Sequence, residues 1–324
     1  MLKVGVVMNP ISEINYFKDS TLLLMIELQE QGHELFYIDH RNLFFSNQTP
    51  MALIQRVEVY MNQDKWYSLG EEEKISLDTL DAVLMRQDPP FDMNFINNTY
   101  VLESAEKNGL AVINSPSSLR TYNEKLSILN YPKLITDTLV TANKKLMEEF
   151  VMMHKKTVIK PLGLMGGNGV QKITSENYQE VLKNVSNNNQ EMFMMQKFID
   201  DVYSGDRRIL VINGESPNSV VLRKPPEGDF RGNLAIGGEA FTELLNDRDK
   251  EIVDSLRKDL IRERIYIAGL DVVGGFLTEI NITCPTCFRE LMDQTGENLA
   301  KIFVNQLKVS KNEIENLCFS FYLF

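Results

Sequence analysis

The chain has 324 residues, 43% hydrophobic and 24% charged, long enough for two or three packed units and neither disordered nor fibrous in composition. A formal net charge of −11 argues against a general nucleic-acid binder, so any phosphate ligand has to meet local lysines and arginines. Three cysteines give no disulfide framework and fit a reducing cytoplasm, the three histidines (His33, His40, His154) are scattered, and no apolar run approaches the roughly 18 residues that cross a membrane.

Taken in chain order, Leu2 to Met8 is predicted as a strand, too short and too soon followed by polar residues for a secretory signal. Asp19 or Ser20 can cap a helix through Leu22, Met25 and Ile26, with Gly32 placed to end it. Leu35 to Ile38, Asp81 to Arg86 and Ala111 to Asn114 are further strands, with a helix from about Asn94 to Asn108. Strands alternating with helices predict a parallel α/β sheet. It lacks Gly-x-Gly-x-x-Gly after the first strand, so dinucleotide binding there is not expected.

Beyond a boundary placed near residue 122, a helix is predicted from Lys144 to His154 and a strand from Thr157 to Lys160. Then come the turn Gly163-Leu-Met-Gly-Gly-Asn-Gly169, a strand at about Val170 to Ile173, a helix from Asn177 to Val185, a polar loop at Asn187-Asn-Asn189 and a strand from Met192 to Phe198. Strands and loops fill Arg207 to Arg223, a long loop runs from Lys224 to Glu239, and a helix from Asp247 to Glu263 leads into a hairpin. The apolar tail from Ser310 to Phe324 has no assignable role.

That hairpin, Gly269-Leu-Asp-Val-Val-Gly-Gly-Phe-Leu-Thr-Glu-Ile-Asn281, carries Asp271, Glu279 and Asn281. Glu279 and Asn281, two apart on a strand, share a face. Asp271 joins them only if it pairs with Glu279, which a two-residue Gly274-Gly275 turn would prevent; the expectation is therefore an odd loop of three residues. Two or three hard oxygen ligands suit Mg²⁺, which takes its remaining ligands from water and phosphate. The plainer alternative is a surface hairpin with solvated acids.

Lys160 precedes four glycines whose backbone N–H groups can approach phosphate, although Gly-Gly-Asn-Gly alone is more often a hairpin turn. Lys125, in Tyr122-Asn-Glu-Lys125, reaches the same phosphates only if the sheet folds back. The strand around Met192 to Ile199 can offer backbone groups to an adenine edge, or serve as core. Arg207, Arg208, Arg223 and Arg231 suggest an anionic substrate, with ordinary ion pairing assigned to Arg207 first. Arg86 closes a strand at the end where α/β sheets bind ligands and is a candidate for a substrate carboxylate. Cys284-Pro-Thr-Cys287 has no second pair for zinc and opens no thioredoxin-like unit, and Trp66 reads as a packing anchor.

A series of phrases runs along the chain: Val4-Gly-Val-Val-Met8 with Pro10-Ile, Met85-Arg-Gln-Asp-Pro-Pro-Phe-Asp92, Ser118-Leu-Arg with Asn123-Glu-Lys125, and Ile159-Lys-Pro-Leu-Gly with Met165-Gly-Gly. It continues through Gly205-Asp-Arg-Arg, Arg231-Gly-Asn-Leu-Ala with Gly237-Gly, Gly269-Leu-Asp, and Thr278-Glu-Ile-Asn-Ile-Thr-Cys-Pro-Thr-Cys287. In the order and spacing of these phrases the chain resembles bacterial glutathione synthetases of the ATP-grasp superfamily. Two departures are Cys284, where the family commonly has Ser, and a lid segment at Lys224 to Phe230 without paired glycines before Arg231.

This likeness implies an α/β, partly α+β, ATP-grasp fold: a Rossmann-like pre-ATP-grasp substrate domain (1–122), a central lid subdomain (123–202) and a C-terminal catalytic subdomain (203–324). It implies ATP-dependent joining of γ-glutamylcysteine to glycine through an acyl phosphate. Lys125, Lys160, Gly166 and Gly167 would hold ATP phosphates, and Gln196, Lys197, Phe198, Ile199 and Asp206 would complete the nucleotide site. Asp271, Glu279 and Asn281 would hold Mg²⁺, or Mn²⁺ in its place. Arg208, Arg223 and Asn233 would steady the acyl phosphate, Arg86 and Thr286 would position the peptide, and the 224–239 loop would close over the site. A cytoplasmic homotetramer with no nucleic-acid or membrane partner is implied as well. The alternatives are another carboxylate-amine ligase of the superfamily and a non-catalytic, synapsin-like ATP-binding protein.

Overall fold

The structure, a computed structural model, describes residues 1–185 and 191–307. The Asn187–Asn189 loop and the 310–324 tail of the sequence reading lie outside them. Among the described residues the chain builds three sheets. The first contains β1 (Lys3–Met8), β2 (Glu34–Asp39), β3 (Leu43–Ser46), β4 (Thr49–Val59), β5 (Tyr67–Ser76), β6 (Ala82–Met85) and β7 (Ala111–Ile113), in the order β3-β4-β2-β1-β6-β7 with β5 beyond β4. Strands β2, β1, β6 and β7 are parallel, and β1 and β6 are apolar and buried on both faces, as helix-covered strands are.

Helix α1 (Ser20–Glu30) starts at Asp19, whose carboxylate accepts the Leu22 N–H at 2.6 Å. Residues Ser20 to Leu28 are all buried, because α1 packs between the first sheet and a C-terminal layer containing Phe288, Leu291, Phe303 and Val304. Helices α2 (Met93–Lys107) and α3 (Pro116–Thr121) complete this unit. Strands β3 to β5 are not anticipated from the sequence. Their long antiparallel hairpin is an edge feature with one partly buried face, so its apolar pattern is weak. Trp66, in the connection before β5, anchors the hairpin by donating to the Ile11 carbonyl at 3.0 Å.

The second sheet is β10-β9-β11-β8, from β8 (Thr138–Thr141), β9 (Lys156–Pro161), β10 (Gln171–Thr174) and β11 (Phe193–Lys197), with α4 (Lys144–His154) and α5 (Tyr178–Val185). Met147, Val151, Ile159, Ile173, Leu182, Phe193 and Met195 form its core. The third sheet is β14-β13-β12-β15-β16, from β12 (Asp206–Ile212), β13 (Ser219–Lys224), β14 (Glu239–Leu244), β15 (Ile267–Val273) and β16 (Phe276–Asn281), with α6 (Asp247–Arg262) and α7 (Phe288–Thr295). Helix α6 opens with a reciprocal cap between Asn246 and Asp249.

The β15–β16 hairpin corrects one expectation. Its turn is the two-residue Gly274-Gly275, with φ of 55° and 78°, a conformation open to glycine and well matched to strand twist. Asp271 nevertheless pairs with Glu279, because the register shifts between Asp271 and Val272: Val272 pairs with Leu277, leaving Thr278 as an extra residue. A bulge inside the strand, not an odd loop, supplies the change of parity. No glycine marks it, so the sequence carries no sign of it.

Asn114, just after β7, joins the first and third sheets. Its amide donates to the Ile267 and Ile282 carbonyls at 2.8 and 2.7 Å and accepts from the Tyr266 and Ile267 N–H groups at 2.8 and 2.9 Å. All four of its hydrogen-bonding positions are thus used in a buried setting. Replacing Asn114 with Ala strands four backbone groups. It is expected to cost about 3 kcal/mol or more, read as a lowered urea midpoint.

Candidate active site

Strand register puts the charged residues of the third sheet on one face. Asp206 lies opposite Arg223, Arg208 opposite Asp271, Asp271 opposite Glu279, and Gly269 opposite Asn281. With the side-chain period of two, Arg223, Asp206, Arg208, Asp271, Glu279 and Asn281 all project from that face. Asp271 is its centre. Both Asp271 oxygens accept from Arg208, Oδ2 at 2.9 Å from Nη2, and Oδ1 also lies 2.9 Å from Arg223 Nη2. Arg223 also pairs with Asp206.

From the other side come the two lysines, brought together as the phosphate reading requires. Lys125 and Lys160 are both buried, and their Nζ atoms lie 3.7 and 3.9 Å from Glu279 Oε1. Lys125 Nζ also donates to the Leu164 carbonyl at 2.6 Å, tying it to the glycine-rich turn. Burial draws the Lys160 ammonium below its ordinary range, Glu279 pushes it back up, and Lys125 adds to the fall.

Whether a divalent cation fits can be judged from the donors. Glu279 accepts no hydrogen bond among the described residues; its two lysines are ion-pair neighbours only. Asn281 turns its NH₂ toward Asp271 Oδ2 and the Gly269 carbonyl, at 3.2 and 3.1 Å, which leaves its carbonyl oxygen for another partner. The set is all oxygen, as Mg²⁺ requires, although Asp271 would have to be shared with its arginines.

These groups close one end of a cleft of about 670 Å³, counted out to its open mouth. Lys160, Asp206, Asn233, Asp271 and Glu279 line the charged end, while Val158, Val170, Phe198, Ile199, Val202, Phe230 and Val273 line an apolar slot. Gln196, Lys197 and Gly167 also line the wall, whereas Lys125, Arg208, Arg223, Asn281 and Gly166 do not. A slot joined to a charged corner suits a base carrying phosphates.

The adenine-edge expectation is narrowed. The Lys197 N–H is taken by the Asp137 carbonyl at 2.9 Å and the Phe198 N–H by the Lys156 carbonyl at 3.1 Å. Of these amides, Ile199 alone has no backbone acceptor among the described residues. The Gln196 side chain donates to Thr138 Oγ1 at 3.1 Å, a strand-to-strand contact.

Two loops meet over the phosphate end. Arg231 Nη1 donates to the Gly167 carbonyl at 3.1 Å, and a Cβ on Gly167 (φ 80°) would stand 2.7 Å from Asn233 Oδ1, so only glycine lets them approach so closely. Arg86 is buried between the first and third units, donating to Thr21 Oγ1 at 3.1 Å and the Pro285 carbonyl at 2.8 Å. That places it beside the exposed Thr286. Cys284 and Cys287 are free thiols, both held above their ordinary range by burial. Arg207 pairs with Asp249 and Glu243, away from the cleft. The apolar slot residues Phe230, Val158, Val170 and Val202, not singled out as site residues from the sequence, resemble any core residue until the fold gathers them.

Burial alone would raise the Asp271 carboxyl, but Arg208 and Arg223 outweigh it and hold it below the usual range. Asp206 goes the other way, pushed up to about 6 by burial and by Asp271, against the pull of Arg223. An acid with a folded-state pKa above its unfolded value contributes stability that is present below about pH 4 and lost as pH rises through about 6. The stability difference, wild type minus Asp206→Asn, is therefore expected to fall by up to roughly 3 kcal/mol between pH 4 and pH 7, measured by urea unfolding of the unliganded protein across that range.

Comparison with known proteins follows the same lines. Residues 2–120 match the family profile described as prokaryotic glutathione synthetase, N-terminal domain, and residues 124–296 match prokaryotic glutathione synthetase, ATP-grasp domain. The glutathione synthetase of Coxiella burnetii is 41% identical over 305 residues, covering 94% of this chain and 95% of that one. That of Vibrio parahaemolyticus is 39% identical, covering 90% and 93%. Among solved structures, the D-cycloserine synthetase DcsG superposes with a TM-score of 0.69 at 12% identity, over 94% of this chain and 98% of that chain. The ATP-grasp ligase PsnB with its minimal precursor gives 0.61 at 16%, over 95% and 99%; both share the fold. With both of its domains matched and its relatives aligned nearly end to end, the chain belongs to the prokaryotic glutathione synthetase family of ATP-grasp ligases.

Proposed function

We propose that the protein joins the cysteinyl carboxylate of γ-glutamylcysteine to the amine of glycine, converting ATP to ADP and phosphate. The observation that carries this is the cleft itself, where an apolar slot for a base runs into a corner built from Lys160, Asp206, Asp271 and Glu279. The nucleotide would lie with adenine between Val158, Phe198 and Ile199, its edge read by the Ile199 N–H, and its phosphates against Lys125 and Lys160. Gly166 and Gly167, with Arg231 and Asn233, would cover the phosphates and exclude water.

Asp271, Glu279 and Asn281 would hold Mg²⁺, or Mn²⁺, whose positive charge lowers repulsion between an incoming carboxylate and the triphosphate. In the first step a carboxylate oxygen of the peptide attacks the γ-phosphorus and ADP leaves, giving an acyl phosphate. The glycine nitrogen then attacks the acyl carbon, the C–O bond to phosphate breaks with its electron pair, and the amine gives up a proton. Arg208, Arg223 and Asn233 would balance the charge on the acyl phosphate and the tetrahedral oxygen, the guanidiniums loosening their hold on Asp271 and Asp206 as they do so. Arg86, with Thr286, would place the peptide. Catalysis of this kind is positioning and charge stabilisation, with little covalent work for the protein.

The division into 1–122, 123–202 and 203–324, a cytoplasmic location and a homotetrameric assembly are part of the same proposal, supported by kinship; among the described residues no helix is long and apolar enough to cross a membrane.

Phosphate release from ATP and Mg²⁺ with γ-glutamylcysteine tests the reaction. Turnover is expected with glycine and not without an amine; preference for another acid or amine would make this a different ligase, and binding without turnover on any pair would make it a nucleotide-binding protein. Glu279→Gln is expected to lower turnover about 100-fold or more, a far larger effect than its loss of folding stability, which arises from leaving Lys125 and Lys160 without their shared counter-charge and is read in parallel thermal melts. Full activity in that variant would remove Glu279 from the site.

A further inference from the structure

Strand β16 is an edge of the third sheet, and its outward N–H groups need acceptors from elsewhere. The 124–134 segment supplies them. The Leu134 carbonyl accepts from Leu277 N at 2.8 Å and the Glu124 carbonyl from Ile280 N at 2.9 Å. Glu124 Oε1 then takes three donors at once: Ile282 N at 2.8 Å, Thr283 N at 2.9 Å and Thr283 Oγ1 at 2.9 Å. The side chain is 4% exposed, and Oε2 is buried with no hydrogen-bond partner in the described residues. Burial raises the Glu124 carboxyl above its ordinary range, and the three donors on Oε1 pull it partly back.

The spacing of the donors matters. A regular edge strand would present every second N–H, at 277, 279 and 281. The observed set, 277, 280 and 282, steps by three and then by two, and the extra residue is the bulged Thr278. The contacts Glu124 makes are those of the bulged register, the one that sets Glu279 opposite Asp271. A slip by one residue would turn Glu279 and Asn281 to the other face.

We propose that Glu124 is a positioning residue that locks β16 in its bulged register and thereby delivers Glu279 and Asn281 to the cation-binding face. It touches neither cation nor substrate; it acts through the strand. The inference rests on the reading that Asp271, Glu279 and Asn281 hold a divalent cation.

The test is a Mn²⁺ titration, followed by electron paramagnetic resonance, of the full chain with a non-hydrolysable ATP analogue, beside binding of the same analogue without metal. Glu124→Gln keeps shape and one acceptor but sets an NH₂ group at the buried, unpartnered position of Oε2, and Glu124→Ala removes the acceptor; should the alanine variant fail to fold, the glutamine variant decides. The expected result is a folded Glu124→Gln protein whose Mn²⁺ affinity falls about 10-fold or more, with metal-free analogue binding unchanged. Wild-type Mn²⁺ affinity, or an equal loss of metal-free binding that marks general loosening, would overturn the proposal. Glu279→Gln, measured alongside, separates the two levels. If it too binds Mn²⁺ like wild type, the cation reading has failed; if it alone weakens binding, only the role of Glu124 has failed.

Discussion

The Asp271 carboxylate, buried between the guanidiniums of Arg208 and Arg223, sets the charge balance on which the rest of the site depends. Placing several ions in a protein interior is unfavourable unless each is paired and hydrogen-bonded, and removing one member leaves an uncompensated charge. Here Asp271 offsets two arginines, and Asp206 takes the second contact of Arg223. The arrangement therefore keeps strongly charged groups beside the cleft in readiness for anions. Within it Asp206 Oδ1 and Arg223 Nε are buried with no hydrogen-bond partner among the described residues.

Such a network holds only if the strands beneath it keep their register. Arg208 and Asp271 face each other on adjacent strands, as do Asp206 and Arg223, so each ion pair is also a cross-strand pair that resists slippage. The bulge at Thr278 extends the set to Glu279 and Asn281. Around this hairpin the remaining units attach at fixed points: Asn114 from the first sheet, Lys125 from the connecting segment, and Arg86 through the Pro285 carbonyl. The hairpin tip also packs close to the wall of the apolar slot, where a Cβ on Gly274 would stand 2.8 Å from the Ile199 side chain. The loops over the charged end, by contrast, meet through the Arg231 contact to Gly167 and the close approach of Asn233. Rigid below and lightly joined above is what a site needs if it must admit a peptide and then exclude water.

Much of this was legible in the residues. Helix α4 has the bounds predicted from its spacing, the cap of α1 is one of the two candidates, and the parallel strands of the first sheet follow from their continuous apolar runs. These features depend on neighbours a few positions away. The β3–β5 hairpin was missed because its outer strand is half exposed and its pattern faint. The turn of the β15–β16 hairpin was misjudged because two ways of changing parity, an odd loop and a bulge, place Asp271 opposite Glu279 equally well.

The order of residues along the chain supplies the types of group available, the strand parity that pairs Glu279 with Asn281, the glycines that permit close approach, and, through its phrases, the family. Which of those groups meet follows from the folded chain: Lys125 and Lys160 converge on Glu279, two amides expected at the adenine edge are already bonded, and Glu124 fastens an edge strand 158 residues away. Periodicity and capping are local consequences of backbone geometry, and a linear chain displays them. Register between strands and the pairing of buried charges come from contacts distant in sequence, whose energies do not exist until the chain has closed on itself.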